Sequence, residues 1–187
     1  MNEAKQQPPT PDRVQLEAVR RRDPEALAAF FEAHFDRLYN LAFRLVGEHS
    51  LAEDVLQEVF LKLHRAAAQL DPERDPAPWL ATITRNACRE QWRRRRRHVE
   101  GKDSIEADLP DASPSAEVDT LRAERERRVG RALMRLPEGL REVVVLRDFH
   151  GLAHEEVATV VGAKIAAVRK RYSRALAELR HYLEASG

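Results

Sequence analysis

One cysteine, Cys88, in 187 residues leaves no partner for an intrachain disulfide, and a reducing compartment follows as the expected home. No apolar run approaches the roughly 18 residues that a transmembrane helix takes. The opening MNEAKQQPPTPDR has none of the apolar stretch of a secretory leader, so a cytoplasmic protein without membrane insertion is expected. Aromatic residues are scarce at 6%, and runs of alternating β-branched residues are few. There is no glycine-rich phosphate loop and no nucleophile–base constellation, so no catalytic residues, cofactor or small-molecule substrate are expected. Net charge is also missing: 32 Lys plus Arg against 31 Asp plus Glu give +1, which excludes a uniformly basic, histone-like protein. What fills the chain is Ala, Leu, Arg and Glu. Charged residues reach 34%, against about 25% in an average soluble protein, and an all-α fold is expected.

The chain reads as two small helical domains joined by a flexible acidic linker. Residues 1–11, with Pro8, Pro9 and Pro11, read as a disordered tail. In 12–99, Asp23 before Pro24 is a helix N-cap with proline at the first helical position. That helix carries Leu27, Phe30, Phe31, Phe35, Leu38, Leu41, Ala42 and Leu45 at 3–4 spacing and stops at Gly47. Ser50 to Glu53 reads as a capping box opening the next helix, whose buried stripe is Ala52, Val55, Leu56, Val59, Phe60 and Leu63. After an Asp-Pro-rich loop, a third helix runs from about Pro78 into five consecutive arginines, Arg93–Arg97. Residues 100–120, acidic apart from Lys102 and without apolar periodicity, form the linker. In 121–187, helices are expected from Leu121 to Leu136 and from Pro137 to near Gly151, the latter with Leu140, Val143, Val144 and Leu146 inward. A short helix His154–Val161, a turn at Gly162 and a long helix from Lys164 to about Leu183 then make a helix-turn-helix.

The charges are sorted by segment. Between Pro76 and His98, seven arginines face one acid, Glu90; between Ala163 and Tyr182, six bases face one acid, Glu178. Two basic helices flanking an acidic linker point to two separate contacts with one polyanion, as against two solvated helix faces. In the last helix, Ile165, Val168, Tyr172, Leu176 and Leu179 form the expected packing face, and Lys164, Ala166, Ala167, Lys170, Arg171 and Arg174 the opposite one. Its N-terminal turns would enter a major groove, placing Ala166, Ala167 and Lys170 at base edges and Arg171 and Arg174 at phosphates.

Several segments together resemble the extracytoplasmic-function sigma factors of bacterial RNA polymerase. They are Glu53-Asp54 with Gln57-Glu58-Val59-Phe60, Pro78-Trp79-Leu80, Arg85-Asn86 before the arginine run, Leu136-Pro137, Arg141-Glu142-Val143-Val144, and Gly151-Leu152. They stand in order over roughly residues 23–183. The resemblance implies that Asp54, Gln57, Glu58 and Leu61 bind core RNA polymerase. It implies that Arg85, Asn86, Arg89, Trp92, Arg93 and Arg94, with the loop Ala68–Ala77, recognise and open the −10 element of promoter DNA. The helix-turn-helix residues would read the −35 element, and an anti-sigma factor is a further implied partner. Trp79 is expected in the core, whereas Trp92 is open to packing or to stacking on DNA.

Three positions depart from the family pattern: Ala153 where Ser or Thr is common, Ala163 where Ile is common, and Lys164 where Ser or Asp is common. A missing N-cap and a lysine at the positive end of the helix dipole predict a less stable helix-turn-helix or an unusual −35 sequence. His150 and His154 are four apart but separated by Gly151, with no ligand set around them, so no metal is expected. Cys88 reads as a small buried apolar residue. Two other readings stand beside the initiation factor: a free-standing helix-turn-helix regulator independent of core polymerase, and an RNA-binding helper using the arginine helix.

Overall fold

The computed structural model describes residues 12–99 and 120–185, and the expected tail at 1–11 and the expected linker, apart from Thr120, lie outside them. Every regular element among the described residues is helical. The first lobe contains α1 (Arg13–Arg20), α2 (Pro24–Val46), α3 (His49–Ala66) with a 3₁₀ turn at Ala67–Gln69, and α4 (Ala77–Val99). The second contains α5 (Thr120–Arg135), α6 (Glu138–Val144) running into a π turn at Val145–Phe149, α7 (His154–Val161) and α8 (Ile165–Glu184).

Helix α2 starts as its sequence dictates. The Asp23 carboxylate accepts from the Ala26 N–H at 2.9 Å, and Pro24 occupies the first turn, where its missing N–H is harmless. It stops at Gly47, whose φ of +80° is the left-handed conformation that only glycine adopts without strain. Leu38, Leu41, Val55, Val59, Leu63 and Leu80 are essentially sealed where α2, α3 and α4 meet. Complete burial of one such side chain contributes about 1.5–3 kcal/mol. Helix α1, which the sequence reading did not resolve, closes the open end of this group. The Asp12 carboxylate accepts from the Gln15 N–H, Gln15 Oε1 accepts from the Asp12 N–H, and Leu16 and Val19 are buried.

The expected capping box at Ser50–Glu53 is not formed. Helix α3 begins earlier, with Glu48 as N-cap, and Ser50 lies inside the first turn, its hydroxyl donating to the Glu48 carboxylate at 2.7 Å. Two partners outside the helix explain the early start: Tyr39 Oη meets His49 Nδ1 at 2.6 Å, and Arg95 of α4 pairs with Glu48. Phe60 and Phe35 also depart from expectation, being 40% and 43% exposed rather than buried. Each sits one residue past the innermost position of its helix, about 100° around the axis. Both rings pack on Phe31, at 5.9 Å for Phe35 and 5.1 Å for Phe60, forming an aromatic cluster outside the core.

The second lobe folds around Val143, Val144, Val145, Leu146, Val157 and Val168. In the π turn the His150 N–H bonds to the Val145 carbonyl, an i to i−5 link that admits one extra residue per turn. Gly162 joins α7 to α8 at φ +65°, as a helix-turn-helix requires. On α8 the buried line is Val168 and Ala175, with Tyr172, Leu179 and Tyr182 half-buried against the core. Ile165 and Leu176, expected inward, are each 40% exposed. Small Ala175 lets α8 approach closely along its own stripe, and that turns Leu176 out to solvent.

The two lobes share one continuous core, with α7 packed on α4 and both α5 and the π turn packed on α2.

Candidate functional site

The outer face of α3 is set by the burial of Ala52, Val55, Leu56, Val59 and Leu63 on the other side. Asp54, Gln57 and Leu61 lie exposed there, and Phe60 adds an aromatic edge beside them. Glu58 does not join that face. It turns toward α4, where Lys62 Nζ lies 3.0 Å and Arg94 Nη1 3.4 Å from its carboxylate, and Gln91 donates to it at 3.3 Å. Lys62 also bonds Glu90 at 2.8 Å, and Arg94 closes the ring to Glu90 at 2.8 Å. The hydrogen bonds from Lys62 and Arg94 hold the Glu90 carboxyl near pKa 2. Glu58 therefore knits α3 to α4, a role its position in the sequence motif does not reveal.

Helix α4 carries the expected −10 residues, and the structure sorts them. Asn86, Arg89, Arg93 and Arg94 are exposed. Arg85 is buried: its Nε and Nη2 donate to the two Glu142 carboxylate oxygens at 2.9 and 3.0 Å, and its Nη1 reaches the Val160 carbonyl at 3.4 Å. Trp92 is half-buried against the core, with the Arg141 guanidinium 4.6 Å above its ring centroid, so in this conformation it packs. Trp79 packs on the core as expected. The loop before α4 is shaped by its aspartates: Asp71 accepts from the Glu73 N–H, and Asp75 accepts from the Ala77 N–H at 2.8 Å.

On the helix-turn-helix, Lys164, Ala166, Lys170, Arg171 and Arg174 are exposed and Ala167 is half-buried. Lys164 is the N-cap of α8 and makes no capping bond; Ala153, whose methyl group cannot accept a hydrogen bond, is the N-cap of α7. At α7 the loss is partly offset, because Glu156 reaches back to accept from the Ala153 N–H at 2.7 Å. Arg174 leans on Glu178 at 2.9 Å. Two of these arginines, Arg171 and Arg174, line a 550 Å³ cleft between the lobes with Arg85 and Arg89.

Burial pushes the Cys88 thiol up to about 12 and keeps it a protonated, apolar filler. Burial first, then the charge of Arg37, lowers His150 to about 3. Among the described residues no three His, Cys, Asp or Glu side chains gather as a metal site, and no helix is long and apolar enough to cross a membrane.

The two lobes match, one each, two regions of the sigma-70 class of proteins. Residues 30–98 match the sigma-70 region 2 family and residues 126–179 match sigma-70 region 4. The chain belongs to the extracytoplasmic-function RNA polymerase sigma factors. It is 36% identical over 157 residues to the extracytoplasmic-function sigma factor SigE of Mycolicibacterium smegmatis, covering 80% of this chain and 58% of that one. It is 37% identical over 147 residues to the probable sigma factor RfaY of Xanthomonas campestris, covering 76% of this chain and 36% of that one. The chain thus spans well under two thirds of those two relatives. It spans 95% of the sigma factor CarQ of Myxococcus xanthus, at 34% identity over 90% of this chain. Among solved structures, the sigma factor RpoE bound to the anti-sigma factor NepR from Bartonella quintana superposes with TM-score 0.71 at 26% identity, covering 84% of this chain and 96% of that one. CnrH in complex with the cytosolic domain of CnrY gives 0.70 at 27% identity, covering 94% and 99%. Both lobes are thus matched by regions of one family.

Proposed function

We propose that this protein binds core RNA polymerase and directs it to promoters that it recognises at two elements and helps to open, leaving the chemistry of transcription to the polymerase. The observation that carries the reading is the presence, in one chain, of an exposed acidic and apolar helix face next to two separate basic reader helices. Residues 12–99 take the polymerase and the −10 element, 121–187 the −35 element, and 100–120 tether them.

Asp54, Gln57 and Leu61, with Phe60, form the polymerase-docking face of α3; Glu58 supports it by holding α3 on α4. Arg89, Arg93 and Arg94 neutralise phosphates near the −10 element, Asn86 reaches an opened strand, and Arg85 and Trp92 become available when the second lobe withdraws. Ala166, Ala167 and Lys170 face base edges of the −35 element, and Lys164, Arg171 and Arg174 fix register through the backbone. An anti-sigma factor is a fitting regulator, since two solved relatives are held in complexes with CnrY's cytosolic domain and with NepR. The protein works in the cytoplasm, where its polymerase is, and is not itself an enzyme.

The test is capture of purified bacterial core RNA polymerase by the wild-type chain and by Asp54→Arg/Leu61→Arg, both exposed positions outside the core. Binding by the wild type and loss in the variant, at unchanged helicity, supports the reading. A wild type that captures no polymerase overturns it.

A further inference from the structure

Two arginines of α4 and two of α8 converge on the 550 Å³ cleft between them. Glu138 and Glu142 also line it, so four positive charges against two negative ones leave it at +2. A space of that size suits a small molecule and is too small for a duplex. The four arginines differ in how firmly they are held. Arg85 is committed, giving Nε and Nη2 to the two Glu142 carboxylate oxygens at 2.9 and 3.0 Å with both residues buried. The exposed Arg89 has Glu138 at 3.1 Å, a half-buried carboxylate. Arg174 has Glu178 at 2.9 Å, four positions along the same helix, and such surface pairs are weak. Arg171 has no ion pair or hydrogen bond among the described residues. Being three positions apart, Arg171 and Arg174 stand on one face of α8. Pro137, Leu140 and Val161 give the cleft an apolar wall, and a Cβ at Gly139 would meet nothing within 4 Å.

We propose that this cleft binds a small polyphosphate anion, of the class of a nucleoside triphosphate, through Arg89, Arg171 and Arg174. Binding there needs neither DNA nor polymerase and is independent of the promoter roles assigned above. A planar guanidinium offers a fork of N–H donors that meets two phosphate oxygens at once. A single carboxylate satisfies one such fork. A chain of linked phosphates presents like charges in succession, and so reaches arginines on α4 and α8 together. It takes Arg89 from Glu138, which turns to water, while the Arg85–Glu142 pair stays in place as the closed end of the site. Beside the apolar wall these charge-assisted bonds are stronger than in open water. The same wall, Pro137, Leu140 and Val161, is a seat for the flat face of a nucleobase. A nucleoside triphosphate therefore binds more tightly than the bare inorganic chain.

The experiment is isothermal titration calorimetry of the full chain with ATP, inorganic tripolyphosphate and adenosine. It is run without divalent cations, in about 0.15 M salt to screen diffuse attraction. Arg171→Gln/Arg174→Gln, Gly139→Glu and the control Arg93→Gln/Arg97→Gln are compared with the wild type. The control removes the same charge from exposed positions of α4 outside the cleft. A single ATP is expected per chain, with tripolyphosphate weaker and adenosine weaker still. Loss of two charged bonds should weaken ATP by about tenfold or more in Arg171→Gln/Arg174→Gln. Gly139→Glu, which places an acid in the cleft, should weaken it in the same direction, and the control should stay within about twofold. ATP should raise the melting temperature of the wild type and the control but not of the cleft variants, whose unliganded melting shows that they are folded. A wild type that binds neither phosphate compound at about 1 mM overturns the site. An equal loss in the two arginine pairs also overturns it, reducing the binding to attraction by net charge. Equal affinity for ATP and tripolyphosphate keeps the phosphate site and overturns the nucleobase seat.

Discussion

The guanidinium of Arg141 lies 4.6 Å from the centroid of the Trp92 ring, joining α6 of the second lobe to the arginine helix α4. Arg141 is itself 4% exposed, and burial lowers it to about 10; its Nη1 also sits 3.0 Å from Met134 Sδ. A buried cation–π contact is worth roughly 2 kcal/mol. Arg141→Met, which keeps the apolar stem, is expected to lower unfolding stability in urea by about that amount. It should also change the emission of Trp92, read in a Trp79→Phe background.

Gly47 stands against Met134 of α5. A Cβ at Gly47 would lie 2.6 Å from Met134 Cε and 2.7 Å from Sδ, and φ there is +80°. Gly47→Ala is expected to cost more than the roughly 1–2 kcal/mol that the left-handed backbone alone imposes. In a Met134→Ala background the steric part disappears and the backbone part remains. A double-mutant cycle in thermal or urea unfolding measures the difference.

His150 and His34 are both buried and both lie within reach of the Arg37 charge; His34 is also faced by Asp75 and the Phe30 carbonyl. Burial, the largest cause for both, favours their neutral forms; His150 falls from 6.5 to about 3. The unfolded chain therefore binds more protons than the folded chain between those values. Stability is full above pH 6.5 and falls as pH drops toward 3. The slope from His150 is at most about 1.4 kcal/mol per pH unit. His150→Gln should flatten that decline in urea titrations run at successive pH values; an unchanged slope would remove His150 from the account.

Lys164 opens α8 with an N-cap backbone, φ −71° and ψ 143°, but no capping bond. Lys164→Ser supplies the missing acceptor and removes a cation from the positive end of the helix dipole. A gain of about 1 kcal/mol is expected. In a chain of this size that is a rise of roughly 2–4 °C in melting temperature by calorimetry. Ala153→Ser should give less, because it removes no cation from the helix end; its hydroxyl would accept from the Glu156 N–H and complete the reciprocal bond that Glu156 already accepts from the Ala153 N–H.

Most of the helices were legible because their punctuation is chemical: Asp23-Pro24, Gly47 and Gly162 each carry a backbone reason, and the helices near Pro78 and Pro137 begin within a residue of those prolines. The Ser50 cap misled because a capping motif says nothing of Tyr39 and Arg95, which draw the start of α3 back to His49. Phe35, Phe60, Ile165 and Leu176 were misplaced for a shared reason. Apolar spacing of three or four residues outlines a stripe but not its edge, and one position on either side is about 100° of rotation. Within the candidate site, the exposed arginines of α4 and the basic face of α8 were visible as charge runs. The burial of Arg85 and the inward turn of Glu58 were not, since Arg85 depends on a partner 57 positions away and Glu58 on partners 33 and 36 positions away in the chain.

Cys88 gives the lobe boundary an unplanned reporter. The thiol is buried in the same crevice as Trp92, Arg89, Arg141 and Glu142, and no other sulfhydryl exists in the chain. While the lobes are together, an aqueous disulfide reagent has neither a path to it nor a thiolate to meet. Its labelling rate in the unmodified chain is therefore a clock for the intervals in which the boundary is breached, read without attaching any dye or changing any residue.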